Sequence, residues 1–451
     1  MTKKLLSVGV DIGTTSTQMI VSALTIENRA SAFSVPEMQI AQRQILYKSP
    51  VHFTPLLKDA LVDGEQLRHL LQAEYVRAGI CRDQVDTGAI IVTGETSRKE
   101  NAATVLENLS DLAGDFVVAT AGPDLESVLA AHGAGAVAYS QESGHAVLHM
   151  DIGGGTSNLA LIDDGQILAT ACLNVGGRLI KCDPAGRITY LSPALAGLCP
   201  FSLGQIPTAR ESDRLADTLT QALEMAAGLR ERTSLLDALL TQEMEKEAFA
   251  HFLHLLSQLS KPLTLSFSGG VADCIQTTHG DLAFGDMGPA LGRAIRRSRL
   301  CAGAYRLGEE TIRATVIGAG SYATQLSGST IFYQNIPFPL KNLPVVYQMH
   351  GLSQLDGPGI LALQEVPQNY LQLRHLANQM AAQWPAQPVI LAMESDMAKA
   401  LGHALALALP KNTPILCIDR VRLPANCYLD VGAPVASALP VVVKTLILQN
   451  K

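Results

Sequence analysis

Hydrophobic positions near the start of the chain fall in two short runs separated by a polar turn. Residues 5–10 (LLSVGV) and 18–23 (QMIVSA) flank a Gly/Thr/Ser stretch, a pattern that predicts a β-hairpin. Residues 63–79 (DGEQLRHLLQAEYVRAG) carry apolar side chains at helical spacing, with Asp63 placed to cap the helix and Gly79 to stop it. A short apolar strand at 89–92 leads into the loop-to-helix segment TGETSRKENAATVLENL (93–109). A strand at 115–120, a helix over 124–131 and the small-residue stretch HGAGAVAYS (132–140) follow. Alternation of this kind predicts a mixed α/β sheet.

The opening pattern returns at residue 146. AVLHMDIGGGTSNLALI (146–162) repeats VGVDIGTTSTQMIV (8–21): a strand, Asp-hydrophobic-Gly, a Gly/Thr/Ser turn, then a second strand. A repeat this far apart predicts two lobes of similar build. A helix-rich stretch at about 211–259 reads as an insertion in the second lobe, followed by a strand at 263–268, a Gly-Gly pair and further α/β chain to about 330. Beyond the Pro-punctuated connector IPFPLKNLP (336–344) the pattern predicts a strand at 389–393, a helix over 396–409 and strands at 415–418 and 441–448. The expected organisation is a first lobe over 1–145, a second over 146–330 and an appended C-terminal α/β region over 331–451.

Composition narrows the classes. At 451 residues the chain exceeds one compact core, and 47% hydrophobic against 17% charged residues fits a packed globular protein. The net charge of -7, with no basic run, argues against a nucleic-acid partner. No window is long and apolar enough for a membrane span, and Asp11 interrupts the apolar start too early for a secretory signal, so no membrane partner is expected. Eight cysteines without a CxxC pair read as reduced thiols of a cytoplasmic protein. The histidines form no ligand cluster; His251 and His254 share only a predicted helix face.

The two Asp-x-Gly turns carry the chemistry. A phosphate chain needs several donors converging from a backbone that can come close, which glycine permits and Thr or Ser hydroxyls reinforce. In DIGTTST these donors are the amides of Gly13, Thr14 and Thr15 with the neighbouring hydroxyls, Ser16 included; in DIGGGTS they are the amides of Gly153, Gly154, Gly155 and Thr156. Asp11 and Asp151 then supply two carboxylates to a hydrated Mg²⁺ between them and the phosphates. One glycine-rich turn after a strand is common. Two copies, each led by Asp and followed by a strand, point to a nucleotide. The Lys and following helix of a Walker-type loop are absent.

These turns resemble the two phosphate motifs of the actin, heat-shock chaperone and sugar-kinase superfamily. The resemblance implies an actin-like ATPase fold with two duplicated ribonuclease H-like lobes around a nucleotide cleft. LSFSGG (265–270) is similar to its adenosine motif and NVGGRLIK (174–181) to its ribose-side segment, which makes Gly176, Gly177, Gly269 and Gly270 adenosine-side candidates. The chaperone branch orients its attacking water with a Glu on the segment before the second phosphate motif. Here HGAGAVAYS resembles that segment but lacks the acid; Glu126 is the nearest one, and Asp151 is the alternative.

Within the superfamily, TGETSRKENA (93–102), GPDLESVLAAHGAG (122–135), HMDIGGGTSNLAL, NVGGRLIK, IGAGSYATQLSGSTI (317–331) and YLDVGAPVASALPVVVKTL (428–446) together resemble ethanolamine ammonia-lyase reactivating factors. That resemblance implies an Mg²⁺-dependent ATPase acting as a chaperone, and the missing acid before the second phosphate motif implies slow turnover. Its partner is the adenosylcobalamin-dependent lyase, from which it exchanges damaged cobalamin for intact cofactor using ATP and releasing ADP. It also implies the cytoplasm, in company with an ethanolamine-utilisation microcompartment. The polar segment 93–102 reads equally as a contact surface or as a solvated loop and helix start. Three other classes stand beside this one. A small-molecule kinase would need a catalytic-Asp signature after the second motif, an actin-like scaffold self-complementary surfaces, and a hydantoinase or oxoprolinase relative much greater length and metal-ligand histidines.

Overall fold

The structure is a computed structural model that describes residues 3–13, 16–28, 38–57, 61–93, 109, 117–120, 123–241, 244, 246–281, 283–327, 330–385, 388–421, 423, 427–435 and 438–444. Strands β1 (Lys3–Ile12) and β2 (Ser16–Asn28) form the expected hairpin, in a register that sets Val10 opposite Met19 and Asp11 opposite Gln18. Strand β3 (Met38–Lys48) runs antiparallel beside β2, and the short β4 (His52–Phe53) pairs with the first residues of β2. Strands β5 (Thr87–Val92) and β6 (Val117–Thr120) extend the sheet parallel to β1, giving the order β3-β2-β1-β5-β6. Alternation along β1 decides its two faces. Val8, Val10 and Ile12 pack with Leu67 and Leu71 of the helix Gly64–Ala78. That helix is capped by the Asp63 carboxylate, which accepts from Gln66 N at 3.0 Å, and it stops at Gly79 with φ 68°.

The second lobe repeats this plan. Strands β7 (Ala146–Ile152), β8 (Ser157–Asp163) and β9 (Gln166–Leu173) run antiparallel. The small hairpin β10 (Ile180–Cys182) and β11 (Ile188–Leu191) follows. Strands β12 (Leu263–Ser268) and β13 (Tyr305–Leu307) then add parallel to β7, for the order β13-β12-β7-β8-β9. Between β11 and β12, where the sequence predicts a helical insertion, lie the helices Ala209–Ala226, Ser234–Leu239 and Lys246–Gln258. Their apolar faces join Leu148, Met150 and Ile152 of β7 in a large core. The Thr208/Glu211 capping box starts the first of them.

Two helices cross between the lobes. Helix Pro123–Gly133 follows β6 in the chain, yet its Ala131 packs with Val147 of β7 and Ala160 of β8. Helix Ala314–Tyr322 follows the second sheet, yet its Val316 and Ile317 pack with Ile20 of β2. Glycines let the backbones touch: a Cβ on Gly9 of β1 would stand 2.5 Å from Gly320 N, and one on Gly318 would stand 2.1 Å from Leu129 O. Packing therefore crosses the 145/146 boundary read from chain order. Two sheets of one plan, facing each other and tied by crossing helices, make the actin-like fold.

The C-terminal region is built on an eight-stranded sheet. Strands β14 (Thr324–Leu326), β15 (Phe332–Gln334), β16 (Leu340–Val346), β17 (Ile360–Leu363), β18 (Val389–Met393), β19 (Ile415–Ile418), β20 (Tyr428–Val431) and β21 (Pro440–Lys444) lie in the order β14-β21-β20-β16-β17-β18-β19-β15. Strands β16 to β19 are parallel, joined through the helices Met349–Leu352, Tyr370–Gln383 and Ala398–Ala408. The last expected strand is described only to Lys444; 445–448 lie outside the described residues. Because β14 pairs with β21, this region begins before residue 331. It docks on the first lobe, where Val435 and Ala438 pack with Leu5, Leu24 and Ile26. Among the described residues no helix is long and apolar enough to cross a membrane.

Candidate functional site

Both glycine-rich turns open into one cavity of about 380 Å³ between the lobes. In the first, the Gly13 amide donates to Ser16 O at 2.9 Å; in the second, the Gly153 amide donates to Thr156 O at the same distance. One turn geometry thus occurs twice, facing itself across the cleft. Thr54 Oγ1 anchors the first turn by donating to Gly13 O at 2.8 Å. The amides of Gly177 and Arg178 anchor the second, donating to Gly153 O and Gly154 O at 3.0 and 2.6 Å.

Of the residues the sequence singles out, Asp11, Gly13, Ser16, Glu126, Asp151, Gly153, Gly154, Gly155, Thr156, Gly177, Gly269 and Gly270 all line this cavity. Thr14 and Thr15 lie outside the described residues. Gly176 stands behind the wall, where a Cβ would come within 2.3 Å of Gly154 O. Gly269 has φ +84° and a Cβ there would meet Ile152 O at 2.3 Å, so the turn after β12 can lie against the end of β7 only as glycine.

The two carboxylates occupy matched places, on the faces of β1 and β7 toward the crossing helices. Burial pushes Asp11 up to about 7; the Thr93 hydroxyl, donating to Oδ1 at 2.8 Å, works against this and the Asp151 charge adds to it. Burial likewise lifts Asp151 to about 6, opposed by the hydroxyls of Ser268 on Oδ1 and Thr315 on Oδ2. Behind Asp151 runs a buried relay. His149 Nδ1 meets Ser266 Oγ at 3.1 Å, and its Nε2 meets Ser268 Oγ at 2.9 Å. Because Ser268 spends its proton on Asp151, Nε2 must be the donor and Nδ1 accepts from Ser266. Burial first, then the Arg306 charge, holds His149 neutral by lowering it to about 3.

A family model described as "EutA: Ethanolamine utilisation protein EutA" matches residues 3–360 and 356–449. The chain belongs to the EutA family. It is 39% identical to ethanolamine ammonia-lyase reactivase EutA of Salmonella typhimurium strain LT2 and 38% to that of Escherichia coli strain K12, with 99% of each chain covered in both pairs. Among solved structures, ethanolamine utilization protein EutJ from Carboxydothermus hydrogenoformans is 16% identical, with 70% of this chain and 89% of that one covered and a TM-score of 0.33.

The donor set of this EutA-family cleft suits a hard cation only in part supplied by protein. Among the described residues no three His, Cys, Asp or Glu side chains converge to form a complete ligand cage. What the cavity has is the facing carboxylates of half-buried Asp11 and buried Asp151, each destabilised as an anion, with the buried Asp286 already held by Arg178. Mg²⁺ keeps much of its water and commonly takes one or two carboxylates with substrate phosphates, which fits. Sequence reasoning missed several residues here. Gln18 was legible in principle, since a hairpin closing at residues 13–16 sets it opposite Asp11. Thr93, first residue of the TGETSRKENA segment, turns inward to Asp11, while 94–102 lie outside the described residues. Ser268 and His149 lie inside the LSFSGG and HMDIGGG segments but had no role assigned there, and Thr315 carried no local signal. At the cleft mouth Arg178, paired with Asp286 at 2.8 Å, stands over the Phe53 ring of the opposite lobe at 5.9 Å.

Proposed function

We propose that this EutA-family chain is an ATP-driven reactivase of an ethanolamine ammonia-lyase, exchanging damaged cobalamin for intact adenosylcobalamin. The observation that carries this reading is the likeness, across 99% of both chains, to two proteins described as ethanolamine ammonia-lyase reactivase. The paired turns support the ATP part of it. In this reading the amides of the 13–16 and 153–156 turns, with those of Thr14 and Thr15 assigned from sequence alone, hold the phosphates of ATP and then ADP from opposite lobes. Gly177, Gly269 and Gly270 give the adenosine a flat backbone wall, with Gly176 supporting the second turn from behind.

Asp11 and Asp151 would hold Mg²⁺, which would supply positive charge to neutralise the phosphates. Asp11, Asp151 and Glu126 are the acidic groups near the reacting phosphate, and turnover is slow. Because the site needs both lobes, nucleotide binding favours the closed arrangement, and hydrolysis removes that preference. A lyase surface that binds one lobe arrangement better is thereby pulled open or released, by reciprocal coupling. We place this work in the cytoplasm, beside an ethanolamine-utilisation microcompartment; co-fractionation with shell proteins tests that placement.

The main test mixes purified protein with ethanolamine ammonia-lyase inactivated by cyanocobalamin, free adenosylcobalamin and Mg²⁺, with or without ATP. Acetaldehyde formation should return only when protein and ATP are both present. Recovery without ATP, or no recovery while nucleotide still binds, overturns the reactivase reading.

A further inference from the structure

We infer that Gln18 orients the water that attacks the terminal phosphate, its side-chain carbonyl acting as the hydrogen-bond acceptor. The inference rests on the ATPase reading above. Gln18 stands on β2 directly opposite Asp11 on β1, so the two side chains leave the sheet on the same face. Both line the cavity. The side chain of Gln18 is covered (3% exposed), and its Nε2 donates to Ile312 O at 3.0 Å. That bond decides which end of the amide is which, because a carbonyl oxygen accepts only from the nitrogen. Its other end, Oε1, is buried and has no hydrogen-bond partner among the described residues. A buried acceptor without a partner is costly, and it calls for an explanation such as a water or a catalytic role.

The neighbouring carboxylates already accept hydrogen bonds from the protein and, in the reading above, serve the cation. Asp151 accepts from Ser268 on one oxygen and from Thr315 on the other, and Asp11 accepts from Thr93. Glu126 has an interaction of its own. An amide cannot take a proton, but a loose phosphoryl-transfer transition state asks for alignment more than for a base. In the step, the water oxygen bonds to the γ-phosphorus as the bond to the β–γ bridging oxygen breaks. ADP leaves with that electron pair, and the water's proton passes to a phosphoryl oxygen.

Two variants of the full chain test this. Gln18→Met keeps the volume and loses the acceptor; Gln18→Glu keeps acceptor oxygens and loses the bond to Ile312. Gln18→Met should lower kcat for ATP by about 100-fold while the calorimetric Kd for Mg-ADP stays within about threefold of wild type. Gln18→Glu should turn over roughly tenfold faster than Gln18→Met. Wild-type kcat in Gln18→Met overturns the inference and leaves the ATPase reading intact. So does equal loss in both variants accompanied by lost ADP affinity, which would mark Gln18 as a tether to Ile312. A wild-type protein that binds ADP but never hydrolyses ATP overturns both.

Discussion

Replacing Asp151 by asparagine should make the nucleotide-free protein more stable and leave it unable to use magnesium. Asp151 is 5% exposed, and burial lifts its carboxyl from the ordinary 3.8 to about 6. The folded state therefore holds this proton more tightly than the unfolded chain does. Its stability contribution is fully present below about pH 4 and is lost as pH rises through about 6. By pH 8 the loss is roughly 3 kcal/mol, at about 1.4 kcal/mol for each tenfold change in proton affinity. At pH 5 it is about half as large.

Asparagine removes the charge, but its nitrogen cannot accept as the lost oxygen did. Either Ser268 or Thr315 loses its acceptor, at a cost of about 1 kcal/mol. The net gain is roughly 2 kcal/mol at pH 8 and well under about 1 kcal/mol at pH 5. In EDTA at pH 8 the thermal midpoint of Asp151→Asn should exceed wild type by several degrees, at about 2–4 °C per kcal/mol for domains of 150–250 residues. At pH 5 the two should nearly coincide. Mg-ADP should reverse the order, since about a hundredfold excess over Kd adds about 2.7 kcal/mol to a protein that binds it. An Asp151→Asn protein no more stable than wild type at pH 8 in EDTA would refute the view of this carboxylate as a buried charge awaiting a cation.

Three further outcomes follow from the same geometry. Gly269→Ala must strain a φ of +84° and push on Ile152 O, so chemical denaturation should show a loss of about 3 kcal/mol or more, with calorimetric ADP binding lost alongside. Phe53→Ala removes the ring beneath Arg178 across the cleft mouth; at about 0.5–1 kcal/mol for an exposed cation–π pair, release of a fluorescent ADP in stopped flow should speed up roughly two- to fivefold. His149→Phe leaves the hydroxyls of Ser266 and Ser268 short of a partner and should cost about 1–3 kcal/mol in melts at neutral pH. Because His149 is lowered from 6.5 to about 3, its contribution is present above 6.5 and lost as pH falls, so the gap between variant and wild type should narrow toward acid.

Much of this molecule is written locally in its sequence. The Asp63 cap and Gly79 stop bound a helix from one end to the other because capping involves only the residues beside it. The strands at 263–268, 389–393 and 415–418 sit where the apolar runs predict them, since each is buried on both faces and needs no partner to be read. The two Asp-led turns were legible as a pair because each closes on itself within four residues, through the same amide-to-carbonyl bond.

Tertiary structure decided everything that depends on residues far apart in the chain. Helix Pro123–Gly133 reads as part of the first lobe, but small residues on its surface let it lie on the second sheet and against helix Ala314–Tyr322. No local pattern records that exchange, because a close backbone approach needs a glycine on one side and says nothing about which backbone will fill the space. The charge state of the site has the same origin. Asp151 is an unremarkable strand carboxylate until Ser268 and Thr315 arrive from 117 and 164 residues away and water is excluded around it. His149 in the same strand looks like a core residue, and only the pairing of β7 with β12 turns it into the hinge of a hydrogen-bond relay. The sequence by itself determined that two alike Asp-led turns exist; folding determined which side chains meet across the cleft, because burial and long-range pairing exist only once the lobes are packed.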